Sequence, residues 1–109
     1  MGILLKVNAI TSACIVLVIT LFAISPSNSG HIGTEPYLLL AYFIPALWWS
    51  VFVFLKNKEL KVIATLNITA AITGILLVML FDVTNMIVQY DRWAKRGLPV
   101  KGDISWFTQ

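Results

Sequence analysis

Residues 62–81 read VIATLNITAAITGILLVMLF, twenty residues without one Asp, Glu, Lys or Arg. A helix needs about 20 largely apolar residues to cross a hydrocarbon core of about 30 Å. Two further stretches meet that length, residues 7–34 and 36–55, both free of charged side chains. Apolar types make up 59% of the 109 residues and charged types 12%, where soluble chains carry roughly a quarter charged residues. A small soluble domain buries too little of its surface to hide so much apolar material. The reading is therefore all-α: one integral membrane domain over residues 1–109, a three-helix bundle with lipid as its outer solvent.

The first span is placed at about 4–24. Its basic start at Lys6 and the Ser27-Asn28-Ser29 stretch before Gly30 resemble a secretory leader, but the segment is read as a retained span. The breaker cluster from Ser25 to Gly30, followed by His31 to Pro36, makes a loop of about a dozen residues. The second span is placed at 37–55. Pro45 lies near its centre, removes a backbone donor and crowds the carbonyl of Ala41, so a kink is expected. Residues 56–61, KNKELK, form a basic turn that folds the second and third spans into a hairpin.

The third span, placed at 62–90, does not stop where it should. After Asp82 the chain stays uncharged to Tyr90. The first recognisable stop is Gly97 followed by Pro99. A continuous helix from 62 to 96 would be about 52 Å long, well over the hydrocarbon thickness. The expectation is a long third helix projecting beyond the bilayer, followed by a short irregular tail over 97–109.

At about 100° per residue, Asn67, Ala71, Gly74 and Val78 share one face of that helix. Asn85, Gln89, Arg92 and Arg96 would continue it, and Asp82 borders it. Small residues let helices approach closely, and amides hydrogen-bond across the contact. The stripe is read as a packing face, with a polar pathway as the competing reading. Ala9, Ala13, Val16, Thr20 and Ala23 of the first span can meet its upper part. The lower part is expected to meet another chain, and Trp106 and Phe107 of the tail belong to the same partner surface. Asp82, a carboxylate beside an apolar span, is read as interfacial, with an ion pair to Arg92 or to a partner, or a proton relay, as alternatives.

Lys and Arg favour the cytoplasmic side. The first loop has none, whereas the second carries Lys56, Lys58 and Lys61. This places the N-terminus inside a plasma membrane and the C-terminus outside, against the pull of Arg92, Lys95, Arg96 and Lys101. The net charge of +3 comes from such flanking residues and does not point to nucleic acid. A single cysteine, Cys14, excludes an internal disulfide. His31 and Glu35 are too few for a metal site, and His31 is read as a solvated loop residue. The Asn67-Ile68-Thr69 sequon lies inside a span, out of reach of glycosylation. No catalytic motif or cofactor site is found, so the chain is read as no enzyme by itself. Its expected partners are the bilayer and larger membrane subunits, in an accessory role within a complex such as an oxidoreductase. A self-assembling channel, transporter or holin-like pore is the alternative, which would make it a homo-oligomer.

Overall fold

The computed structural model describes residues 2–25 and 31–102. Three helices are long and apolar enough to cross a membrane, over Gly2–Ile24, Pro36–Lys56 and Lys58–Val83. The first is α1 (Gly2–Ile24). The second is a 3-10 turn (Pro36–Leu39) leading into α2 (Leu40–Lys56). The third follows a short 3-10 turn (Lys58–Leu60) as α3 (Lys61–Val83). Beyond α3 lie a two-residue strand β2 (Val88–Gln89) and a short helix α4 (Tyr90–Lys95). β2 pairs in parallel with β1 (His31–Ile32), His31 opposite Val88 and Ile32 opposite Gln89. These pieces form a cap on one end of a molecule 51 Å long.

α3 is the central helix. It packs along both α1 and α2, which hardly touch each other. Its buried residues Ala64, Asn67, Ala71, Gly74, Val78 and Phe81 recur at alternating intervals of three and four. That is the 3.5-residue period of a left-handed helix seam. Small side chains along it admit close neighbours. At Gly74 the approach is closest: the buried Phe43 ring of α2 occupies the space a Cβ would need. The α2 seam, Phe43, Ala46, Ser50 and Val53, has the same spacing. Pro45 lies on the exposed side of α2, and the helix runs through it without a break.

The apolar helices also carry hydroxyls, and four of these bond back within their own helix. Thr20 donates to the Val16 carbonyl, Ser50 to Ala46, Thr65 to Lys61 and Thr69 to Thr65, at 2.7–2.9 Å. Each back-bond removes the cost of carrying an unpaired hydroxyl through apolar surroundings. Two buried apolar clusters brace the ends of the bundle. Leu5, Val53 and Ala64 lie at the lysine-loop end, and Ala23, Phe81 and Ile87 at the cap end.

The third helix does not run on to 96. It ends at Val83, with Thr84 as C-cap and Asn85 in the left-handed region at φ 57°. The Met86 N–H donates to the Phe81 carbonyl (2.9 Å) and the Asn85 N–H to the Asp82 carbonyl (3.1 Å). These two bonds are the Schellman termination of an α-helix, here with asparagine where glycine is commonest. Met86 packs onto the Phe81 cluster, the apolar contact that accompanies this motif. At 23 residues, α3 is about 35 Å long, close to what a single crossing of a hydrocarbon core requires. The expected stop at Gly97 is real, but it ends α4: Gly97 has φ 87°, just past the C-cap Arg96.

Candidate functional site

Asp82 sits in the last turn of α3, with only 6% of its surface exposed. A carboxylate there meets the negative end of the helix dipole and loses solvent, so it needs cations. The break at Asn85 supplies them by folding α4 back over the helix end. Arg92 donates to Asp82 Oδ1 from Nε (3.1 Å) and Nη2 (2.8 Å). Arg96 donates to Asp82 Oδ2 from Nη2 (3.2 Å), to the Asp82 carbonyl from Nη1 (2.8 Å) and to Asn85 Oδ1 (3.0 Å). The Tyr37 hydroxyl donates to Oδ2 at 3.0 Å.

Glu35 joins the cluster from the other side. Arg92 grips both its oxygens, Nη1 to Oε2 at 2.7 Å and Nη2 to Oε1 at 3.1 Å. Glu35 also caps the 3-10 turn: its Oε1 accepts the Tyr37 N–H at 3.2 Å, with Pro36 at the first position of the turn. The Arg92 guanidinium lies over the Tyr37 ring, 5.2 Å from its centre. Two carboxylates and two guanidiniums thus form a neutral cluster joining the start of α2, the end of α3 and α4. Arg96 and Asp82 are its dry side, with side chains 7% and 8% exposed, while Arg92 and Glu35 are 32% and 34% exposed. The hydrogen bonds from Arg92 hold the Glu35 carboxyl below its usual range, burial opposing only in part. The Arg92 guanidinium is pushed above its usual value, first by Glu35 and then by Asp82, with burial opposing.

The cap is locked locally too. Gln89 Oε1 accepts the N–H groups of Asp91 (2.9 Å) and Arg92 (3.3 Å), capping α4. His31 stacks on Trp93, ring centres 4.0 Å apart, and meets the Tyr90 ring edge-on at 5.3 Å. It is therefore a packed part of the cap, not the solvated residue expected. Trp93 Nε1 donates to the Pro99 carbonyl at 2.9 Å. Lys101 Nζ donates to the Ser25 carbonyl at the end of α1 (2.8 Å), and the Gly102 N–H to Thr84 (2.8 Å).

A second polar cluster lies between the three apolar helices toward the lysine loop. Asn8 donates to Asn67 Oδ1, and Asn67 Nδ2 donates to the carbonyls of Leu5 (3.0 Å) and Ile63 (2.8 Å). Tyr42 donates to Asn8 Oδ1 at 2.6 Å and lies 3.2 Å from the Ser12 hydroxyl. This is amide and hydroxyl pairing across three helices.

The stripe read from the sequence therefore divides. Asn67, Ala71 and Gly74 are buried in the chain's own bundle. Asp82 and Asn85 are buried under the chain's own cap. Gln89, Arg92 and Arg96 belong to the α4 segment and not to a continuation of α3. Trp106 and Phe107 lie outside the described residues. Glu35 and Tyr37 were missed as site residues. The available signal was Glu-Pro at a helix start, facing an Arg pair four residues apart. Among the described residues no group of three or more His, Cys, Asp or Glu could hold a metal ion. No protein family, curated protein or solved structure matches the chain.

Proposed function

We propose that this chain is a three-span membrane protein that serves as a non-catalytic structural subunit of a larger membrane complex, with N-terminus inside and cap outside. The closed charge cluster is the observation that carries this reading. Every oxygen of Asp82 and Glu35 accepts from a partner in the chain itself. Such groups hold a shape and are poorly placed to move protons or attack a substrate. The same closure counts against the alternative of a self-assembling pore, which would need Asp82 to face water.

The case for a partner rests on the cap. Leu98, Val100 and Tyr90 are 59%, 72% and 48% exposed there, beyond the ends of the apolar helices. Exposed apolar side chains in such a place favour contact with another protein or with the headgroup layer. The sequence continues with Ile104, Trp106 and Phe107. Extraction in a mild detergent followed by native mass measurement should find the chain with larger subunits. Leu98→Ser together with Val100→Ser should release it while its helicity is kept. A wild-type chain extracted only as a stable lone monomer would sink the proposal. Ion leak from vesicles holding the pure chain, abolished by Asp82→Asn, would favour the pore.

A further inference from the structure

Beneath the charge cluster lies a cavity of about 270 Å³. Its walls come from three parts of the fold: Val18, Ile19 and Phe22 of α1, Leu39 of the 3-10 turn, and Val78 and Phe81 of α3. Apart from Thr34 and Glu35 the lining is apolar. A buried water needs two to four polar partners, so water is a poor occupant of such walls. An empty space of this size would also forfeit packing contacts along all its walls. For scale, a cavity of about 150 Å³ takes a benzene molecule.

The mouth identifies the occupant. Val18, Phe22 and Leu38, which line the cavity, are also 62%, 44% and 63% exposed, so it opens sideways through the outer surface of the helices. On the membrane reading proposed above, on which this inference rests, that surface faces acyl chains. The cavity walls are apolar nearly throughout, and Thr34 and Glu35 border it on the cap side. Glu35 is paired with Arg92 and both are about one-third exposed. That exposure lets a head carrying both an ammonium and a phosphate add a contact to each without breaking the pair.

We infer that this cavity holds one acyl chain of a zwitterionic, amine-headed phospholipid, its ammonium toward Glu35 and its phosphate toward Arg92. The full chain, extracted from a membrane in mild detergent, is offered phosphatidylethanolamine, phosphatidylcholine and phosphatidylglycerol in equal amounts. Retained lipid is then counted by native mass spectrometry. About one lipid per chain is expected, the ethanolamine form preferred by about tenfold, a difference within the reach of one charge-assisted contact. Val78→Phe fills the cavity from α3 and Leu39→Phe from the 3-10 turn; either folded variant should lose the lipid. Glu35→Gln should keep a lipid but lose the head preference. A folded chain that retains no lipid overturns the inference. So does retention unchanged by both fillings, or retention indifferent to the head. If Trp106→Ala with Phe107→Ala raises retention, the chain's own tail was the occupant, which also overturns it. Resistance to alkaline extraction and co-migration with larger subunits are read on the same preparation. A chain that passes those and holds no lipid loses only this inference.

Discussion

Single residues in this protein differ sharply in what they hold. Asp82 and Arg96 are the dry half of the charge cluster, so truncating one leaves the other buried without its counter-charge. Asp82→Ala should destabilise the cap by about 3–5 kcal/mol, the usual cost of breaking a buried pair. Glu35→Gln should cost no more than about 1 kcal/mol, because its partner stays partly in water. Thermal unfolding in detergent, followed by Trp93 fluorescence, would rank the two. Acid should act through Glu35. Its folded pKa lies below the ordinary 4.5, so its contribution is present above 4.5 and is lost as pH falls through the folded value. Protection of the α4 amides, taken relative to the intrinsic exchange rate at each pH, should therefore fall on acidification below 4.5, and by less in Glu35→Gln. At Gly74 the argument is steric. Gly74→Ala should cost about 1–3 kcal/mol by overpacking against Phe43. Pairing it with Phe43→Leu should recover part of that loss, as a double-mutant cycle would show.

At the scale of elements, the turn after α3 decides most. Asn85 does two jobs: it adopts a left-handed backbone, and its side chain accepts from Arg96 at 3.0 Å. Asn85→Gly keeps the backbone and loses the bond, for about 1 kcal/mol. Asn85→Val loses both and should cost more, since a β-branched residue resists positive φ. If both variants unfold alike, the Schellman turn is not what positions α4. The turn also shows where periodicity misleads. Positions 85, 89, 92 and 96 fall on the helical face of Asn67 and Gly74, so their spacing is compatible with one long helix. Asn85 was legible as a left-handed terminator, yet an amide within a stripe of small and polar residues reads equally well as interhelical glue. Gly97, followed by Pro99, is legible as a stop because glycine has no competing role there, although the helix it ends is α4 and not α3.

On the scale of the whole molecule, the three helices form a bundle around α3, with polar clusters toward its two ends and an exterior rich in exposed apolar residues. Orientation belongs to this scale. With Cys14→Ser as background, a cysteine at Lys58 should react with an impermeant thiol reagent only from the cytoplasmic side, and one at Gly33 only from outside. The opposite result would invert the proposed topology. Both sites suit the test because Lys58 and Gly33 are exposed and lie outside α1, α2 and α3.

The three apolar helices, the basic turn between the second and third, and the small-residue seam of α3 follow from the sequence alone. Each rests on local properties: run length, charge position and a repeat close to the helical period. What covers Asp82 did not. Its partners stand 45 residues back at Tyr37, or ten and fourteen residues on at Arg92 and Arg96, and Glu35 joins only through Arg92, 57 residues away. They meet only because a left-handed residue turns the chain back on itself and because the parallel pair of β1 and β2 ties the first loop to that turn. A carboxylate at a helix end demands a counter-charge, and that demand is visible in the sequence. Which residues answer it depends on the path of the backbone through space, and only the tertiary structure specifies that path.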